Sequence, residues 1–172
     1  MMTVATGTPD MYQRSEIMDT EYVDYCRIDE FDGAEVCILV AELQRPLDVE
    51  ITFIRAVNGA WLISISTYFE QLEEFSETLE AKVDGGPVIS FQGAGGSRGY
   101  HGEDPIITVR QAFTVSKRVL EGLAAAQNQV WFRFNQKDGS HRDLKMKASS
   151  FSLLSLFIAE ASSAYGGVAP ND

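Results

Sequence analysis

Few residues of this chain have the means for chemistry: His101 and His141, Cys26 and Cys37, an acidic run over 29–35, and a glycine-rich stretch over 93–102. The last, Gly93-Ala-Gly-Gly-Ser-Arg-Gly-Tyr-His-Gly, follows a predicted strand at 88–91, as a phosphate loop does. The details exclude that use. A dinucleotide fingerprint needs glycine where Arg98 stands, and a phosphate loop needs Gly-Lys followed by Ser or Thr. Glu-Asp-Pro comes next, so no helix opens from the glycines to offer its amides to an anion. The stretch reads as a mobile surface loop, with Arg98, Tyr100 and His101 the residues most available to a partner.

The other candidates are equally bare. Neither histidine has a second His one helical turn away, and the two cysteines lack metal-ligand spacing, so no metal site is expected. Both cysteines fall in predicted strands without an adjacent base to activate a thiolate. With no basic-then-apolar leader at the N-terminus, they read as reduced, buried thiols of a cytoplasmic protein. Their positions on the two arms of one hairpin leave a disulfide open. The run over 29–35 lacks the ligand alternation of a calcium loop. No G-x-S-x-G elbow is present. The expectation is a protein without catalytic residues, cofactor or metal.

Three turn signals organise what remains. Asp32-Gly33, Asn58-Gly59 and Asp138-Gly139 are each flanked by β-rich runs, which predicts hairpins pairing 22–30 with 35–43, 48–57 with 60–67, and 130–137 with 142–148. Val36-Cys-Ile-Leu-Val is apolar on both faces and reads as a central strand. In the last hairpin Leu144, Met146 and Ala148 alternate with Asp143, Lys145 and Lys147, one side dry and the other wet. Helices are predicted over 69–81, 110–126 and 150–164. The first has Thr67 and Glu70 as a capping box and Phe69, Leu72, Phe75 and Leu79 as its apolar stripe. Phe113, Val119 or Leu120, and Leu123 mark the buried side of the second. The third carries only Glu160 as a charge, and its surplus apolar residues Leu153, Leu156 and Phe157 predict a further covering surface: the helix at 110–126 or the glycine-rich loop of the same chain, or, as the reading preferred, a twofold homodimer contact.

Residues 49–81 and 130–162 share one pattern of strand, turn, strand and helix. Phe69, Leu72 and Phe75 fall on Phe151, Leu154 and Phe157 at a constant offset of 82. The fold expected is therefore α+β: an antiparallel sheet of about six to seven strands with helices mainly on one face, built from a duplicated strand-strand-helix unit. One domain at 19–164 is expected between flexible termini at 1–18 and 165–172.

Charge suggests the partner. Residues 1–86 hold 18 acids and 5 bases, a net of −13, whereas 87–172 hold 7 acids and 9 bases, a net of +2. Such an acidic chain steers basic proteins and repels nucleic acid. On the predicted helix, Glu70, Glu73, Glu74, Glu77 and Glu80 form a candidate partner-binding strip. No apolar run reaches the roughly 18–20 residues of a membrane span.

Two resemblances follow from these residues. Ala60-Trp-Leu-Ile, the Phe69-x-x-Leu-x-x-Phe-x-x-x-Leu pattern, and Val130-Trp-Phe-Arg-Phe with its helix resemble small acidic bacterial immunity proteins of the WapI type. That resemblance implies a non-catalytic inhibitor that occludes a basic toxin or defence component. The predicted helix at 110–126 departs from it, standing where the family pattern continues in strands. The twice-used hairpin and helix also looks like PUR- and Whirly-type single-strand-binding proteins, which implies stacking of bases on Trp61, Trp131 and Phe132, with the basic hairpin 133–147 beside them. Phage- or plasmid-borne anti-defence proteins and secretion chaperones satisfy the same composition. Protein occlusion is the reading adopted, single-strand binding the alternative, and an enzyme with an unrecognised site the third.

Overall fold

The computed structural model describes residues 25–28, 35–44, 49–69, 75–100, 107–136 and 139–164. Nine strands form one antiparallel sheet: β1 (Cys26–Ile28), β2 (Glu35–Ala41), β3 (Val49–Arg55), β4 (Trp61–Phe69), β5 (Phe75–Val83), β6 (Ile89–Tyr100), β7 (Ile107–Thr114), β8 (Val130–Gln136) and β9 (His141–Lys145). Two helices accompany them, α1 (Lys117–Ala124) and α2 (Ser149–Ala164). The strand order is β1-β2-β3-β4-β7-β6-β5-β8-β9. The α+β class and the antiparallel sheet match expectation. The strand count exceeds it.

The extra strands come from segments with two competing periods. Over 75–83, Leu79 can belong to a helical stripe with Leu72 and Phe75, or alternate with Ala81 and Val83 along a strand. Alternation wins: Leu79 and Ala81 are buried, Thr78 and Lys82 are exposed, and the segment pairs with both β6 and β8. Within the span 69–81 expected as a helix, Phe69 ends β4 and residues 75–81 lie in β5, so the described residues there are strand and the first repeat copy lacks that helix among them. The expected helix over 110–126 is cut short for a related reason. Phe113 and Val115 alternate into the core, and Ser116 then caps α1 by accepting a 3.1 Å hydrogen bond from the Val119 N–H. The glycine-rich stretch is no free loop through residue 100. It lies in β6 against β7, with a bulge between Gly93 and Gly95, where Gly95 adopts φ 122°.

Of the three expected turns, Asn58-Gly59 and Gly139 are described, while Asp32-Gly33 and Asp138 lie outside the described residues. Gly59 and Gly139 take positive φ. At the first of these turns the Ala56 N–H bonds to the Ala60 carbonyl at 2.8 Å, and Asn58 Oδ1 accepts from the Ala60 N–H at 3.0 Å. Cys26 faces Cys37 across β1 and β2, and the two form a disulfide rather than the expected reduced thiols.

Beyond β9 the strand order returns on itself. Leu43, just past β2, bridges Met146, just past β9. The Gln44 N–H donates to the Lys145 carbonyl and the Lys147 N–H to the Glu42 carbonyl, each at 2.8 Å. The sheet is therefore closed into a ring by a short seam. At the seam's end the chain turns into α2, and the buried Ser150 hydroxyl accepts from the Glu42 N–H at 2.9 Å. A side chain thus continues the hydrogen bonding where strand pairing stops.

Both helices join the same core as the inner sheet residues, including Ile51, Phe53, Ile63, Phe113, Phe132 and Phe134. From α2, Phe151, Leu154, Phe157, Ile158 and Ala161 are buried. Of the three surplus residues, Phe157 is fully buried, Leu153 packs against the core, and only Leu156 is exposed. Phe157 meets Trp61 and Tyr25 edge-on at centroid distances of 6.1 and 5.6 Å. The guanidinium of Arg55 stands 4.3 Å above the Trp61 ring. No helix among the described residues is long and apolar enough to cross a membrane.

Candidate functional site

Antiparallel register puts directly opposed residues on one face of a sheet. Across β5, β8 and β9 the inward row Ala81, Phe132 and Leu144 alternates with two outward rows. One outward row is Glu80, Arg133 and Asp143; the other is Lys82, Trp131 and Lys145. Glu80, Lys82, Val88, Trp131, Arg133 and Asp143 line a groove of about 190 Å³, and Lys145 stands at its border beside Trp131. Trp131 is 38% exposed and Val88 51%, on a molecule whose other tryptophan is fully buried.

The charges in the groove are ordered. Arg133 Nε and Nη2 donate to the two carboxylate oxygens of Asp143 at 2.7 and 2.9 Å. That paired geometry holds the Asp143 carboxyl below the usual range, and the same bond raises the Arg133 guanidinium. The Lys145 ammonium stands 5.6 Å from the Trp131 ring centroid, a cation over an exposed indole.

A second polar feature braces the strand that supplies Lys82. Asp84, at φ 50°, accepts hydrogen bonds from the backbone N–H groups of Gln127, Asn128 and Gln129 at 2.9, 2.7 and 2.8 Å. Those three donors hold its carboxyl below the ordinary value. The clamp ties the turn after β5 to the approach to β8, and so fixes where Lys82 and Trp131 meet. Buried against α2, Tyr25 is of another kind: burial, with Glu160 nearby, pushes its phenol up to about 12. That hydroxyl is a core group and not a candidate acid.

The residues expected at a partner surface separate into three sets. Glu70, Glu73, Glu74 and His101 lie outside the described residues. Arg98 and Tyr100 belong to β6, in register with Val109 and Ile107 of β7. Glu77 and Glu80 lie on β5, where Glu80 faces Arg133 instead of joining a helical acidic strip. Of the three stacking candidates, Trp61 and Phe132 are fully buried and only Trp131 reaches solvent. His141 is exposed at the start of β9 and no group of metal-ligating side chains occurs among the described residues.

Lys82, Val88 and Asp143 were not legible as groove residues. The wet side of the last hairpin placed Asp143 and Lys145 outward, and the alternation of Phe132 and Phe134 implies that Trp131 and Arg133 point the other way. Only recognising β5 as a strand would have brought Glu80 and Lys82 beside them. Compared with known proteins, the chain matches no family model, no curated protein and no solved structure.

Proposed function

We propose that this chain is a non-catalytic binding protein that occludes a protein partner, in the manner of an immunity or anti-defence inhibitor, through the outer face of β5, β8 and β9. The observation that carries the reading is Trp131, exposed in a groove and bordered by Arg133. Tryptophan and arginine are the residues most enriched among those that dominate binding energy at protein interfaces. The overall charge of −11 favours capture of a partner whose surface is basic as a whole, by long-range steering. The test is affinity capture from host lysate with wild type and Trp131→Ala in parallel. A protein retained by the first and lost by the second is the expected result; equal retention would remove the face from the function.

The cytoplasmic setting expected from reduced thiols loses that support with the Cys26–Cys37 bond, which fits an oxidising compartment better. Alkylating the protein in intact cells before lysis reads which state is present.

Single-strand nucleic-acid binding is the second reading, favoured by an indole between two lysines. An oligothymidylate titration tests it. Given the chain's charge, binding no tighter than about 10⁻⁴ M at physiological salt is expected.

A further inference from the structure

The two outward rows of the groove differ in what they leave unanswered. In the row Glu80, Arg133 and Asp143, Arg133 is committed to a paired contact with Asp143, and Glu80 leaves the row one acid in excess. The row Lys82, Trp131 and Lys145 holds two ammonium groups and no acid. Among the described residues neither lysine is in an ion pair. Their backbones stand roughly 10 Å apart, two interstrand spacings, with the indole between them. Val88 extends the apolar floor at one side.

A polynucleotide fits this arrangement poorly. Strand-binding surfaces offer a continuous cationic track and several stacking rings, whereas this groove exposes one ring, Phe132 being fully buried, and carries Glu80 and Asp143 in the adjoining row. Two cations also give only a shallow salt dependence, since each neutralised phosphate contributes about 0.7 to the slope for a single strand. A peptide needs less. One apolar side chain can lie on Trp131 and Val88 while acidic neighbours on either side reach Lys82 and Lys145.

Resting on the protein-binding reading, we infer that the Lys82–Trp131–Lys145 row docks a partner segment in which an apolar residue is flanked by acidic ones. Steering by the whole charge and seating by this row act at different ranges, so a partner basic overall can still present such a segment.

The two indole N–H signals make the test direct. In a ¹⁵N-labelled sample, Trp131 reports the groove and the buried Trp61 reports the fold. The probes are acetyl-Gly-Asp-Phe-Asp-Gly-amide, its Lys-Phe-Lys counterpart, and an oligothymidylate. The acidic peptide should shift the Trp131 signal with at least ten-fold tighter apparent affinity than the basic one, leaving Trp61 still. Lys82→Glu combined with Lys145→Glu should invert the order. Should that variant lose its Trp61 signal, Lys145→Gln alone should narrow the preference. Equal or reversed preference in the wild type overturns the inference, as does an unmoved Trp131 signal. Tighter binding of the oligothymidylate replaces it with the nucleic-acid reading. If the peptides fail while capture from lysate still depends on Trp131, this inference falls and the protein-binding reading stands.

Discussion

Asp84 shows how much a single side chain can organise when its partners are backbone amides. Its carboxylate receives three N–H groups from consecutive residues, so substitution loosens a turn and a strand entry together. Because the folded-state value is lowered, its contribution is complete above the ordinary carboxylate range and disappears as pH falls through the folded value. Asp84→Asn should therefore lower the melting temperature at neutral pH. The gap from wild type should close as pH falls below the ordinary carboxylate range, where Asp84 protonates and becomes as uncharged as the asparagine. A pH series of thermal melts checks it; a constant gap would assign the effect to shape and not charge. The Arg133–Asp143 pair is exposed as well and joins two side chains instead of a carboxylate and fixed backbone amides, so Asp143→Asn should shift denaturant unfolding only slightly. Lone residues were the hardest to place from sequence. Trp61, Trp131 and Phe132 are alike in type and all sit in strands, and only register separates the two that are buried from the one that is not.

Among the elements, α2 is the one whose sequence left least freedom. Its buried residues recur at helical spacing, and the expected span of 150–164 differs from the observed helix by one residue. Phe157→Ala should cost about 3–5 kcal/mol in denaturant unfolding, since it removes a ring packed between Tyr25 and Trp61. Leu156→Ala, on the exposed side, should stay within about 0.5 kcal/mol. A large Leu156 effect that depends on protein concentration would point to a contact between copies. The hairpins were legible for the same reason as α2, because Asn-Gly and Asp-Gly fix turn and register locally. β5 was not. Its Glu and Leu residues favour a helix, and its strand state depends on β6 and β8, partners that no local window contains. The groove inherited that difficulty, since β5 supplies one residue of each outward row. β1 is an element of three residues, held by the Cys26–Cys37 bond and by Tyr25 against α2. Cys26→Ser should lower stability by about 2–4 kcal/mol. Thiol titration of the denatured wild type should find no free cysteine.

At the scale of the molecule, acidity is uneven: the excess lies in residues 1–86, while the half contributing Trp131 and Lys145 is slightly basic. Association with a basic partner should thus slow as salt rises, and Lys82→Glu should alter dissociation more than association. Stopped-flow kinetics at two ionic strengths separates these effects. The seam between Leu43 and Met146 carries a consequence of a different order, concerning time. Its two sides are 103 positions apart, while most other pairings join strands near in sequence. Joining so distant a pair closes a long loop for a few hydrogen bonds, so the entropic cost falls late on the folding route. Residues at the seam should then have φ-values near zero: Ser150→Ala would speed unfolding and leave the folding arm of the chevron almost unchanged. The ring would be the last thing the chain makes and the first it gives up, and resistance to irreversible loss would be set at this join more than in the well-packed interior.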